Sequence, residues 1–160
     1  MHGGRHLGIE HKKIITENRK ARHNYFIEDT YEAGMVLVGT EVKSLRIGRV
    51  NLKDSYAKIK NREVFVYQMH IGAYPFAQDN NHEPLRPRKL LLNKREIKKL
   101  YGKVNEMGYS LIPLNIYFKK GKVKMTIALA RGKRKYDKRE TIRRRDQKRE
   151  LDREKKNIRN

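Results

Sequence analysis

From Val123 to Ala130 the large apolar residues Val123, Met125, Ile127 and Leu129 alternate with Lys124, Thr126, Ala128 and Ala130. Successive side chains of a strand point to opposite faces, so the pattern predicts a strand with one apolar face and one small or cationic face. Leu111–Phe118 precedes it across Lys119-Lys120-Gly121-Lys122, which predicts a hairpin, and Pro113 inside that run predicts an edge or a bulge. Ser55–Lys60 and Val64–Ile71 around Asn61-Arg62-Glu63 predict a second hairpin. Tyr25-Phe26-Ile27 and Met35-Val36-Leu37-Val38 are shorter strand runs, with Tyr25 and Phe26 read as core.

Two segments carry helical signals. Asn93 and Glu96 have capping-box spacing, Ile97, Leu100, Tyr101, Val104 and Met107 recur at helical intervals, and Gly108 marks the stop. Thr40 is placed to cap a brief helix carrying Val42 and Leu45, ended by Gly48. The segment Gly72–Arg88 holds three of the four prolines and is long enough to be either functional or mobile. The whole predicts a mainly β fold with a few helices. A six-stranded antiparallel closed barrel of the OB kind suits it, because closure hides strand edges; composition alone does not exclude a sandwich.

Charge sets the boundaries. The 160 residues carry a net charge of +22, which attracts polyanions. Residues 131–160 hold 15 basic against 6 acidic residues and few apolar ones. We therefore divide the chain into a polar leader (1–17), a folded domain (18–130) and a basic tail (131–160). No apolar run approaches the roughly 18 residues that span a bilayer, and there is no apolar core of a signal peptide at the start, so the cytoplasm is the expected compartment; a monomer is expected. Cysteine is absent, which removes disulfides and thiolate chemistry. The six histidines form no H-x-H or HExxH pair, and no phosphate-cradling or nucleophile-elbow motif occurs. Carboxylates such as Glu32 and Glu41 are chemically able to act as acid and base, but no spacing selects them. The expectation is a binding protein with no catalytic residue, metal or cofactor.

The basic stretches point to RNA. Asn18-Arg19-Lys20-Ala21-Arg22-His23 precedes two aromatics, and cations, amides and rings together suit phosphates, base edges and unpaired bases. Arg19, Lys20 and Arg22 are read as phosphate contacts. Arg86-Pro87-Arg88-Lys89 runs into Leu90-Leu91-Leu92. Cations beside an apolar ridge suit a nucleic-acid backbone with an exposed base, and alternation requires at least one leucine to face outward. In the tail, Asp137 and Glu140 have capping spacing, and Glu140–Arg144 and Asp152–Lys156 are favourable i, i+4 pairs. No continuous apolar stripe accompanies them. The tail is thus expected to be marginal alone and helical when bound to a polyanion.

Several segments, in order and with matching spacing, resemble the bacterial tmRNA-binding (SsrA-binding) protein family. They include Asn18–His23, Tyr31-Glu32-Ala33-Gly34, Gly39–Arg46, Asp54-Ser55-Tyr56, Arg88–Asn93, Ala130–Lys133 and Tyr136–Arg139. The resemblance covers about 18–145. It implies a six-stranded OB-like barrel that binds the tRNA-like domain of tmRNA and delivers it to stalled ribosomes. It implies that Asn18, Glu32, Leu91 and Lys124 contact RNA, with His23, Arg88 and Lys89 in the matching segments. It implies a tail that engages small-subunit rRNA at the decoding centre and the empty mRNA path. Tyr136, Asp137, Lys138 and Arg139 would begin it, accompanied by Lys133, Arg134, Arg143, Arg144 and Arg145. Many relatives carry His at position 136, so a role needing a protonated imidazole is in doubt in this chain. A constitutive ribosomal protein and an RNA-modifying enzyme are the alternatives.

Overall fold

The structure is a computed structural model and describes residues 11–133 and 148–153. In chain order its elements are β1 (Lys12–Glu17), α1 (Arg19–Asn24), β2 (Tyr25–Met35), α2 (Gly39–Arg46), β3 (Val50–Asn51) and β4 (Tyr56–Lys60). Then follow β5 (Glu63–Tyr67), β6 (His70–Ile71), β7 (Arg88–Leu91), α3 (Lys94–Met107), β8 (Ser110–Lys119) and β9 (Lys122–Gly132). Residues 148–153 are also helical.

The strands close on themselves. The pairing order β8-β4-β5-β7-β2-β9 returns to β8 through the β8–β9 hairpin, so six antiparallel strands form a ring, with β1 added to β8. The alternation in β9 explains the closure: Met125, Ile127 and Leu129 are buried with Val64, Val66, Leu90 and Leu111 in one core. The turns are tight. Asn61 and Arg62 in one hairpin, and Lys120 and Gly121 in the other, all have positive φ, the geometry that matches strand twist. The register of β8 shifts between Pro113 and Asn115, the bulge expected from a proline within a strand.

α3 begins where its sequence signals, with the Asn93 N–H donating to Glu96 Oε1 at 3.2 Å. It ends at Gly108, whose φ of 66° is left-handed. α2 differs from expectation. It starts at Gly39, and Glu41 supplies the cap by accepting the Val38 N–H at 2.9 Å. Thr40 is instead hydrogen-bonded through Oγ1 to His82 Nδ1 at 2.9 Å. That contact helps fix the proline-rich segment, together with His82 Nε2 against the Ile71 carbonyl at 2.8 Å and Asn81 across the Tyr74 backbone.

Three further sequence expectations need correction. Residues 12–17 are not a leader but strand β1, paired with β8 from Lys12↔Lys119 to Glu17↔Asn115. Phe26 is not core; it is 43% exposed, with the Lys133 ammonium 5.2 Å from its ring. Arg88 is not a surface cation. Alternation along β7 turns Arg88 and Leu90 inward and Lys89 and Leu91 outward, so Arg88 is wholly buried. Its Nε donates to Glu41 Oε2 at 2.5 Å, and its other nitrogens donate to the carbonyls of Met69, Pro84 and Glu83. Arg86 donates to the other oxygen of Glu41.

Burial alone would raise the Glu41 carboxyl, but hydrogen bonds from Arg86, Val38 and Arg88 bring it below the ordinary value of 4.5. A depressed carboxylate stabilises fully above its unfolded value. That contribution is lost as pH falls through the folded one, so this ion pair survives into acid. Removing one partner of a buried pair costs about 3–5 kcal/mol. Arg88→Ala should therefore lower the thermal midpoint by about 10 °C or more. Arg88→Lys should not rescue it, because one ammonium cannot replace the planar fork. Well below the midpoint, Arg88→Ala should bind RNA like the parent; a selective loss of affinity would return Arg88 to the interface.

Candidate nucleic-acid interface

The face of β9 turned away from the core carries Lys122, Lys124, Thr126, Ala128 and Ala130 in register. Its two ends differ. Ala128 and Ala130 are fully buried and pack with Ala21, Ile112 and Leu114, so α1 lies across the alanine end. α1 is fastened there by Asn18, whose backbone N–H donates to the Leu114 carbonyl at 2.7 Å and whose Nδ2 donates to the Pro113 carbonyl at 2.9 Å. The bulge at Pro113 turns those carbonyls toward α1. Burying Ala21 leaves Arg19, Lys20, Arg22 and His23 exposed on the outer side of the short helix.

The other end stays open. Pairing aligns Leu91, Gly34, Lys124, Tyr117 and Ile14 in one row across five strands. Gly34 lies between the two in this row: a Cβ there would lie 3.4 Å from Leu91 Cβ and 3.6 Å from Lys124 Nζ. The leucine and the ammonium thus flank the bare backbone of β2 at ordinary contact distance from that position. Leu91 is 51% exposed while Leu90 is 1% exposed, so Leu91 is the outward leucine that alternation requires.

Glu32 lies two residues before Gly34, on the same face. It accepts from the Tyr117 hydroxyl and from Lys119 Nζ at 3.0 Å, and Lys12 Nζ is 3.9 Å away. Lys12 also sits 4.9 Å from the centre of the Tyr117 ring. Desolvation opposes charge on Glu32, but the bonds from Tyr117 and Lys119 hold its carboxyl below the ordinary range. The Tyr117 hydroxyl is pushed up to about 12 by burial and by that same carboxylate. At neutral pH the pair is therefore a carboxylate and a neutral donor. The acid is thus a fixed post that orders two lysines beside Lys124, with its remaining lone pairs open to amino groups or 2′-hydroxyls.

The predicted residues fall into distinct places. Glu32, Leu91 and Lys124 come together. Asn18 and the α1 cations lie on the same face, about four residues along the strands and so roughly 13 Å away. Lys89 is at the rim, 2.9 Å from Glu63. Arg88 is inside the core. Lys133 caps Phe26, whereas Arg134, Tyr136, Asp137, Lys138, Arg139, Arg143, Arg144 and Arg145 lie outside the described residues. Sequence reading missed Lys12, Gly34, Tyr117 and Lys119 as members of the site. Lys119 was read only as a turn residue, and the pairing that brings it to Glu32 joins positions 87 apart. Among the described residues no cluster suits a metal ion, and no helix is long and apolar enough to cross a membrane.

Glu32→Ala should weaken RNA binding more than Glu63→Ala. The first frees two lysines from a fixed geometry, whereas the second only removes an exposed partner of Lys89. Parallel titrations of the two variants decide this. Equal or tighter binding by Glu32→Ala would leave the acid no recognition role.

Comparison with known proteins gives the family. A family model described as "SmpB protein" matches residues 15–157. The SsrA-binding protein of Symbiobacterium thermophilum is 62% identical over 138 residues, covering 86% of this chain and 87% of the relative. That of Shouchella clausii is 57% identical over 141 residues, covering 88% and 90%. A chain from a solved structure described as "tmRNA-SmpB: a journey to the center of the bacterial ribosome" is 48% identical. It superposes with a TM-score of 0.63 over 74% of this chain and 83% of that one.

Proposed function

The chain belongs to the SmpB family, and from that premise we propose that it binds the tRNA-like domain of tmRNA and delivers it to stalled ribosomes for trans-translation. Its relatives are named for binding SsrA rather than for a reaction, and the chain is an RNA-binding protein, not an enzyme. The ring of six strands is read as the OB-like barrel of the family, occupying about 12–133. The RNA lies on the outer face of β1, β8, β9, β2 and β7, with α1 at one end.

One observation carries this reading: Leu91 and Lys124 converge over Gly34, beside a carboxylate fixed by Tyr117 and Lys119. An apolar side chain, ordered cations and an acceptor within one row suit a folded RNA that presents an unstacked base and its phosphates. The basic tail is proposed to follow the vacated mRNA path near the decoding centre and to become helical there.

Titrating the labelled tRNA-like domain with the full chain tests the first step. Each neutralised phosphate releases counterion. With about six or more contacts, affinity falls by orders of magnitude between about 50 and 200 mM salt. An elongator tRNA should bind more weakly. A flat salt dependence, or equal affinity for both RNAs, would overturn the proposal. Co-purification with every ribosome, rather than with stalled ones, would favour a constitutive ribosomal protein.

A further inference from the structure

A groove of about 830 Å³ lies between the β4–β5 turn and the first half of α3. Its chemistry is one-sided. Arg62, Lys94 and Lys98 provide the charge, Ile59 and Ile97 an apolar floor, Tyr101 a ring, and no carboxylate lines it. Among the described residues these three cations make no ion pair. Tyr101 is 56% exposed although its neighbour Leu100 is fully buried. Lys94, Lys98 and Tyr101 stand at i, i+4 and i+7, so they share one stripe of the helix.

The placement of these charges is not explained by the helix itself. Cations are disfavoured at a helix N-terminus and favoured at its C-terminus. In α3, Lys94 and Arg95 share the first turn with the capping Glu96, and the last turn holds no basic residue. The turn residue Arg62 adds another cation to the same groove, held there with a positive φ.

We propose that this groove is a second RNA-binding site, distinct from the sheet face, which takes an unpaired nucleotide stacked on Tyr101 with neighbouring phosphates on Lys94, Lys98 and Arg62. A ring between cations is the arrangement that holds single-stranded nucleic acid without reading its sequence. The proposal rests on the chain binding RNA, not on which RNA enters the groove. An unpaired stretch of tmRNA and one of ribosomal RNA share the chemistry.

The test uses the full chain with two RNAs, the isolated tRNA-like domain and purified 30S subunits. Lys94→Gln with Lys98→Gln should weaken binding to at least one of them by about tenfold and reduce its salt slope by roughly one to two. Arg95→Gln with Lys99→Gln removes the same charge from the same helix outside the groove and should cost less than about threefold. Tyr101→Ala should weaken the same RNA by about tenfold, and Tyr101→Phe should recover most of that loss. The thermal midpoint should stay level or rise slightly on removing Lys94, which a structural role would not produce. The RNA affected identifies the source. Equal effects of the two double variants on both RNAs, or parent-like binding by Tyr101→Ala, would overturn the site. A parent chain that failed only on the tRNA-like domain would overturn the proposed function while leaving the groove to be judged on 30S subunits. Failure on both RNAs would overturn both.

Discussion

Removing residues 134–160 should abolish peptide tagging in a purified translation system while leaving affinity for the tRNA-like domain within about threefold of the full chain. The position of the cut follows from the structure. β9 continues to Gly132, which pairs with Tyr25, while Arg131 pairs with Phe26 and stacks its guanidinium 5.3 Å from the Tyr109 ring centre. A cut after Ala130 would strip those contacts from β2, whereas a cut after Lys133 keeps them and the Lys133–Phe26 contact. The removed segment has a net charge of +7 and few apolar residues, so the ring should fold without it. Asn18, Glu32, Leu91 and Lys124 all precede the cut. A segment with capping signals and i, i+4 ion pairs but no apolar stripe gains little by docking on protein. Lying in an RNA channel neutralises its charge, which offsets the cost of ordering it. Such coupling would make it sensitive to whether mRNA already fills the channel. Normal tagging by the truncated chain would refute this role. So would a loss of affinity as deep as that of a Leu91 or Lys124 variant.

Much of the ring was legible because its signals are local. The alternation at Val123–Ala130, the Asn93–Glu96 spacing, Gly108 and Pro113 each predicted a feature found in the structure. What escaped was set by distant pairing. β1 carries only Ile14 and Ile15 as apolar residues, and Ile14 is 53% exposed. Its reason for being a strand is the free edge of β8, more than ninety positions away. The error at Arg88 was of another kind. Four residues rich in charge were read as one surface cluster, although alternation from the buried Leu90 already turns Arg88 inward. A buried arginine is rare unless paired, and its partner Glu41 lies 47 positions earlier on α2. Phe26 was misjudged because an aromatic on a strand reads as core, whereas it pairs with Arg131 and alternates away from Tyr25 and Ile27, the two neighbours that pack with Ala21.

The candidate site was legible in part for the same reason. Lys124 and the outward leucine follow from alternation, but their meeting over Gly34 depends on the β7–β2–β9 register. Glu32 was singled out by resemblance. Its mechanism, ordering Lys119 and Lys12 through a carboxylate fixed by Tyr117, is visible only once β1 and β8 are in place.

On the proposed function, the open end of the outer face around Gly34 holds the tRNA-like domain. The most direct test of this is the dissociation constant of that RNA for Leu91→Ala with Lys124→Ala. Leu91 is half exposed and Lys124 lies on the outer face, so the double variant should melt within a few degrees of the parent. A lost charged contact is worth about 1.5–3 kcal/mol, and burying the exposed half of a leucine about 0.8–1.5 kcal/mol, which together predict at least about fortyfold weaker binding. A dissociation constant within about threefold of the parent, in a variant shown to be folded, would contradict the account.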